Sequence, residues 1–340
     1  MAASIRDVAV AAGVSVGTVS NVLNRPERVA PATIKRVQSA ITSLGFVRND
    51  AARQLRAGRS RSIGLIVLDA GNPFFTEVAR GAEDRAEHDN LVVLIGNSDE
   101  SGAREANYVE LFLEQRVNGV LITPASDNLE PLERLRATGT AVVLVDHEAA
   151  DSGFASVAVD DIEGGYLAAS HLLETGRRKL AFVGGPNTIA QVRNRLAGAQ
   201  RAVDEIADAT LEIITTPALT VMAGREAGEH IVARAAADRP DAVFAANDLL
   251  AVGVLQAFSL FNNIRVPEDI ALIGYDDIDF AAATVVPLSS IRQPAAEIGR
   301  TAVDLLLRIV DGDTGPGPHQ VRFRPELIVR ASTVGDRGAQ

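Results

Sequence analysis

The chain contains no cysteine. That excludes structural disulfides, thiol nucleophiles and thiolate metal sites. It lacks the basic-then-apolar pattern of a secretory signal, since it opens MAASIRDVAV. No apolar run approaches transmembrane length; GVLITPA and TAVVLV stop far too soon. A cytoplasmic protein with no membrane partner is therefore expected. The common enzyme motifs are missing too. There is no GxSxG elbow, no HExxH pair and no GKS or GKT phosphate loop. GGPN after KLAFVGG is too loose for a dinucleotide fingerprint. Asp276, Asp277 and His147 could be offered as catalytic carboxylates and a base, but no motif supports them. Neither enzymatic activity nor a cofactor or metal is expected.

What is present is a change of character near residue 60. The first 60 residues hold nine Lys or Arg against three Asp or Glu, whereas the remaining 280 hold 24 against 41. A small basic head on a large acidic body points to a polyanion-binding module joined to something with another task. The overall acidity does not argue against nucleic acid, because phosphates meet the local field of the head. With 340 residues, 47% of them hydrophobic, the chain can fold into two or three domains.

In the head, Ser4 can cap a helix over Ile5–Ala12, with Asp7 near its positive end. Ile5, Val8 and Ala9 share one face. Gly13 ends the helix, and Val14 packs into the corner. Ser15 caps a second helix from Val16 to about Leu23, with Val19, Val22 and Leu23 inward. A third begins at Pro31, with Ile34, Val37, Ile41 and Leu44 as its buried stripe. Two short helices across a four-residue glycine turn, backed by a third, make a helix-turn-helix. Its second helix presents Val16, Gly17 and Asn21 outward. Thr18 and Ser20 suit phosphate oxygens, and Ser15 and Asn24 complete the DNA-facing set. Asn21 can read a base edge, and Val16 can meet a thymine methyl. Lys35 and Arg36 would lie beside the duplex backbone. A plain three-helix bundle with ordinary turn chemistry is the competing reading.

Residues 49–58, NDAARQLRAG, read as a short helix with an Asn cap. Ten residues cannot hold a helix alone in water. Arg53, Arg56 and Arg59 make DNA part of the missing partner. Leu55 has no obvious core to enter, and a leucine among arginines suits a minor-groove wedge. A solvated linker that becomes helical on DNA is compatible with both descriptions.

The stretches IRDVAVAAGVSVGTVSNVLN and TIKRVQSAITSLGFVRNDAARQLRAGRSRSIGLIV closely resemble the lactose-repressor-type (LacI/GalR) family of transcription regulators. The resemblance continues through NPFF, DDIEGGYLAASHLLETGRRKLAFVGG, NDLLAVG and ALIGYDDID to SSIRQP. It implies a homodimer on double-stranded operator DNA, a hinge helix per subunit and an allosteric small-molecule domain. It places Leu55 at the intercalating hinge leucine. Asn21 stands where many members have arginine or lysine, and Phe46 where tyrosine is common. The Asn21 departure bears on operator sequence rather than on DNA binding itself.

From Ser62 the pattern is that of an α/β protein. SIGLIVLD, LVVLIG, GVLIT and AVVLV are apolar runs separated by amphipathic stretches near 75–88, 103–116 and 129–137. KLAFVGG, LEIIT, AVFAA and DIALIGYD follow, with helices near 162–175, 190–206, 221–237 and 248–260. Two open parallel sheets in series imply two lobes with a crevice between them. The expected layout is a helix-turn-helix domain at 1–47, a hinge at 48–60 and a periplasmic-binding-protein-like effector domain at 61–330. The first lobe takes 61–159 and 291–320, the second 160–288 and 321–330. SSIRQP crosses back to the first lobe, where the helix near 294–311 packs, and VRFRPELIVR returns to the second. Residues 331–340 form a flexible, polar tail too short for a tetramer-building repeat.

Ligands of such sheets bind beyond the carboxyl ends of the strands. Asn72, Phe74 and Phe75 follow the first strand; Asp146 and His147 follow AVVLV. Arg195 lies in the helix after KLAFVGG, Asn247 follows AVFAA, Asp276 follows ALIGY, and Gln293 follows the return segment. Carboxylates, amides and a guanidinium bind hydroxyls in several directions while an aromatic covers an apolar ring face. Arg195 would need a carboxylate partner if buried. Plainer roles compete: Asn72 and Asp276 as turn residues, Asp146 as a cap, His147 as a hinge or surface group. Phe75 stands between cleft and core. The set also resembles that of periplasmic ribose-type binding proteins, which tilts the effector towards a monosaccharide, pentoses included, and away from a purine. The expected function is a repressor whose operator affinity is set by that sugar through linkage between the two sites. The alternative is a corepressor-dependent regulator answering to a nucleobase, nucleoside or sugar phosphate.

Overall fold

Ser4 starts helix α1 (Ile5–Ala12) with a reciprocal capping box. Its Oγ accepts from the Asp7 N–H at 3.3 Å, and the Asp7 carboxylate accepts from the Ser4 N–H at 2.8 Å. Gly13 closes the helix in the left-handed region, φ 62°. Helix α2 (Val16–Asn24) begins at Val16 as expected, with three residues, 13–15, between the helices rather than four. Helix α3 (Pro31–Leu44) lies behind them. Val8, Ala9, Val19, Val22 and Val37 form the buried centre of the head. Leu44 is not part of it, being 39% exposed. The helix stops there at left-handed Gly45, φ 57°, and the reversal packs Phe46 against the core instead. In this computed structural model the described residues are 3–46, 60–149, 152–261, 264–312 and 319–335. The expected hinge helix, with Arg53, Leu55 and Arg56, lies outside them. The chain divides into two units, Met1–Arg59 and Ser60–Gln340.

The second unit contains two six-stranded sheets. The first consists of β1 (Ser62–Val67), β2 (Val92–Asn97), β3 (Gly119–Ile122), β4 (Ala141–Val145), β5 (Ala155–Val159) and β11 (Gln320–Phe323). Its order is β11-β5-β4-β3-β1-β2, all parallel. The second consists of β6 (Lys179–Gly184), β7 (Thr210–Thr215), β8 (Ala242–Ala245), β9 (Ala271–Asp276), β10 (Ser289–Arg292) and β12 (Glu326–Ile328). Its order is β12-β10-β9-β8-β6-β7, with only β12 antiparallel. Strands β3, β4, β8 and β9 are buried along their whole length, as Val- and Ile-rich parallel strands covered on both faces should be.

Eight of the helices fall where the amphipathic stretches predict, and two short ones, over Asp279–Ala283 and Ala331–Val334, were not expected. They are α4 (Pro73–Glu87), α5 (Gly102–Glu114), α6 (Glu130–Ala137), α7 (Asp161–Glu174), α8 (Ala190–Asp204), α9 (Val221–Val232), α10 (Asp248–Phe261), α11 (Asp279–Ala283), α12 (Ala295–Val310) and α13 (Ala331–Val334). Helix α9 ends earlier than expected, since Ala235 leaves the helical region with ψ 147° and a separate 3-10 turn follows at Ala236–Asp238. Helices α7 and α8 cross at backbone contact. A Cβ on Gly165 would overlap the Arg195 carbonyl, and one on Gly198 the Ile162 carbonyl. That close crossing sets the depth at which Arg195 is held.

Four details refine or correct the expected layout. Strand β5, ASVAV, is a core strand of the first sheet that its small residues concealed. Ile291 and Arg292 still belong to the second sheet through β9 and β12, and the crossing to the first lobe comes after them. Val321–Phe323 pair with β5 in the first sheet, so the last crossing falls between Phe323 and Glu326. The segment 331–334 is not a flexible tail. Ser332 is fully buried, accepts from the Ser289 N–H at 2.8 Å and donates to the Leu272 carbonyl at 2.5 Å. No helix among the described residues is long and apolar enough to cross a membrane.

Candidate functional site

In the head, Ser15 caps α2 by accepting from the Thr18 N–H at 3.1 Å, and its hydroxyl lies 2.9 Å from that of Thr18. The Asn24 amide donates to the Ser20 carbonyl at 2.8 Å and its hydroxyl at 3.2 Å. The hydroxyls of Thr18 and Ser20 are thus oriented by their own helix, and each oxygen retains further hydrogen-bonding capacity. Val16, Gly17 and Asn21 are exposed on α2, and Lys35 and Arg36 are exposed on α3. The outer face of α2 is therefore pre-ordered, and α3 carries an exposed basic pair.

Between the lobes of the second unit lies a cavity with an empty volume of about 400 Å³ including its open mouth. Only about 30 Å³ of it can hold the centre of a water molecule, room for roughly two waters. The first lobe contributes Asp69, Asn72, Phe74, Phe75, Glu100 and Asp146 to its wall; the second contributes Ile189, Gln191, Arg195, Leu219, Asn247 and Asp276. Most follow the carboxyl ends of strands. Asn72 fills the turn role and also bonds across the cleft. Its Oδ1 caps α4 by accepting from the Phe74 N–H at 3.0 Å, and its Nδ2 donates across the cleft to Asp276 Oδ2 at 3.1 Å. Phe74 and Phe75 meet edge to face at 5.0 Å, both buried and both lining the cavity. Asn247 accepts from the Leu250 N–H at 2.9 Å and donates to the Leu219 carbonyl at 3.1 Å.

Arg195 sits at the centre, 4% exposed. Its Nε donates to Asp161 Oδ1 at 2.8 Å, its Nη1 to the Ala246 carbonyl at 2.7 Å, and Asp276 Oδ1 lies 3.7 Å away. The guanidinium carbon stands 3.7 Å from the centroid of the Tyr275 ring. Burial opposes the Arg195 charge, but Asp161, Tyr275 and Asp276 outweigh it and raise its pKa. Burial pushes the Asp146 carboxyl well above the usual range, reinforced by Asp161. It also raises Asp276 and Asp161, with Arg195 pulling both back. Glu100 at the wall is pushed up to about 7, first by burial, against a bond from the Leu219 backbone. Asp146 and Asp276 have φ of 52° and 104°, a region L-residues rarely adopt and one that clusters at functional sites.

Two expected residues stand elsewhere. Gln293 is not in the cavity wall but buttresses it, donating to Asp276 Oδ1 at 2.8 Å. His147 is buried outside the wall, and burial lowers its pKa. The residues that sequence reasoning passed over are Asp69, Glu100, Asp161 and Gln191. Gln191 lies four positions before Arg195 on the same helix, hence on the same face, and that spacing was the available signal. Asp161 follows the Asp160 cap of α7, and nothing local distinguishes it.

Residues 4–49 match the bacterial regulatory proteins of the lacI family, and residues 169–333 match the periplasmic binding protein-like domain. The HTH-type transcriptional repressor PurR of Photobacterium profundum is 32% identical over 334 residues, 97% of this chain and 98% of the relative. The ribose operon repressor of Bacillus subtilis is 36% identical over 308 residues, 91% and 92% of the two chains. Among solved structures, the lac repressor dimer bound to operator and an anti-inducer superposes with a TM-score of 0.83 at 26% identity, covering 98% of this chain and all of that one.

Proposed function

This chain belongs to the lacI family of bacterial regulatory proteins, which are not enzymes, and we propose that it represses transcription under the control of an uncharged, donor-rich small molecule. The observation that carries this is the cavity between the lobes. Its wall holds Asp69, Glu100, Asp146 and Asp276 against the single cation Arg195, which already pairs with Asp161. Such a wall offers O–H and N–H donors many oxygens and offers phosphate or carboxylate no cation that is not already paired. A sugar fits that description. So does a nucleobase or nucleoside, and relatives named PurR and ribose operon repressor keep both classes in view. The sugar phosphate among the alternatives is disfavoured.

Room for roughly two waters means that neither class enters without parting the lobes. Binding therefore carries a differential free energy between lobe arrangements, which linkage requires. Across a homodimer this movement would change how the hinge segments pair on double-stranded DNA. In the head, Val16 and Asn21 read base edges, with Gly17 outward beside them, while Thr18, Ser20, Lys35 and Arg36 lie against the backbone and Ser15 and Asn24 complete the DNA-facing set. By sequence match, Leu55 wedges the minor groove with Arg53 and Arg56 beside it.

The test is fluorescence anisotropy on DNA selected from random sequence, with and without D-ribose, adenine, adenosine and D-ribose 5-phosphate. A thermal-shift screen identifies which of them bind. At least one neutral compound is expected to bind and to change DNA affinity; the phosphate should do neither. A bound compound that leaves DNA affinity unchanged would sink the allosteric reading.

A further inference from the structure

Two of the contacts that cross the cleft lie in the cavity wall, Asn72 to Asp276 and Gln191 to Asp146. A third stands apart from it. Arg193, on α8 of the second lobe, reaches Asp127 in the loop between β3 and α6 of the first. Its Nη2 donates to both carboxylate oxygens, at 2.8 and 2.6 Å. Neither residue lines the cavity, and both are open to solvent, with side chains 38% and 65% exposed. Each half is built within its own lobe. The Nη1 of Arg193 donates to the Asn187 and Thr188 carbonyls, at 2.9 Å each, which fixes the guanidinium before any partner is met. On the other side, the buried Glu105 carboxylate accepts from the Ala125 N–H at 2.7 Å. Ser126 and Asn128 then turn the chain by accepting from the Asn128 and Glu130 N–H groups. The loop that presents Asp127 is thereby anchored. Two preset ends lose little side-chain freedom on meeting.

We propose that Arg193 and Asp127 form a strap at the outer margin of the cleft, which sets how often the lobes part when no ligand is bound. A contact outside the wall is not displaced by a ligand, so it biases the lobes with the cleft empty or filled. An ion pair this exposed shifts an equilibrium about two- to fivefold, so it trims the open fraction rather than locking the lobes shut. Its bearing on regulation rests on the proposed function: an effector that enters only between parted lobes associates in proportion to the open fraction.

Distances between spin labels in the full chain test this. Because the chain has no cysteine, Glu130→Cys and Ala197→Cys alone take the labels. Both positions are exposed, one on α6 and one on α8. Labelled chains are diluted into unlabelled ones, so that only distances within one chain are read. With Arg193 and Asp127 intact, mainly one short distance is expected at low salt. Arg193→Met and Asp127→Asn should each raise the longer-distance population about two- to fivefold, and Arg193→Lys less. Salt of about 1 M, where the screening length falls to about 3 Å, should raise it in the unmodified chain and leave the first two variants unmoved. A side chain that merely supports its own loop gives no such salt dependence. Distributions that match in all chains, or an unmodified chain already open at low salt, would overturn the strap. The readout needs neither effector nor DNA, so the strap and the proposed function can fail separately.

Discussion

Replacing Arg195 with methionine isolates the electrostatics of the cleft. The side chain of Arg195 is 5% exposed, and those of Asp161 and Asp276, at 2.8 and 3.7 Å, are 7% and 3% exposed. Methionine keeps most of the volume, so the change is chiefly the loss of charge and of hydrogen bonds. Breaking a buried pair by removing one partner costs about 3–5 kcal/mol, because the remaining charge is buried without compensation. The carboxylates have an escape, which is to bind protons. Burial already raises Asp161 and Asp276, and Arg195 is the group that pulls them back. In Arg195→Met their folded pKa values rise further above the unfolded ones. The stability that such a group contributes is complete below its unfolded pKa and is lost as pH rises through its folded pKa. The deficit should therefore be largest in alkali and shrink on acidification, by up to about 1.4 kcal/mol per pH unit for each proton taken up. With no tryptophan in the chain, urea unfolding is best followed by circular dichroism at several pH values. A deficit below about 1 kcal/mol at neutral pH, or one independent of pH, would refute the reasoning, since a buried uncompensated charge predicts neither. Adding Asp161→Asn to Arg195→Met should restore a large part of the loss, because one orphaned charge is gone.

Three further outcomes are expected. Gly165→Ala places a methyl group against the Arg195 carbonyl and should cost about 1–3 kcal/mol in urea unfolding, with weaker effector binding because α8 is displaced. Ser15→Ala removes the cap of α2 and should cost the head about 1 kcal/mol, seen as faster amide exchange at Thr18 and weaker DNA binding. Glu100, with a folded pKa of about 7 against 4.5, contributes stability that is complete below about pH 4.5 and is lost as pH rises through 7. Its replacement by glutamine should flatten the melting temperature between those limits; an unchanged profile would remove Glu100 as its source.

Much of the molecule was legible without coordinates. Ser4, Gly13, Ser15 and Pro31 act within a few residues of themselves, so caps and turns of the head follow from local chemistry. Short Val- and Ile-rich runs alternating with amphipathic stretches dictate two parallel sheets, and parallel sheets place ligands at strand ends. Hence Asn72, Asp146, Asn247 and Asp276 could be picked out from position alone. What only the tertiary structure decided is pairing across distance. Asn72 and Asp276 are 204 positions apart, and no local pattern tells either that it will bond the other. Asp161 looks like any acidic residue in a first helical turn until α7 and α8 cross at Gly165 and Gly198 and bring it to Arg195. His147 follows Asp146 directly, yet the turn of the backbone leaves it out of the cavity wall while Gln191 enters it. Residue type and periodicity determined the elements and the chemistry available. Which donors met which acceptors was decided by packing, because hydrogen bonds need angstrom-scale placement that only the assembled lobes supply.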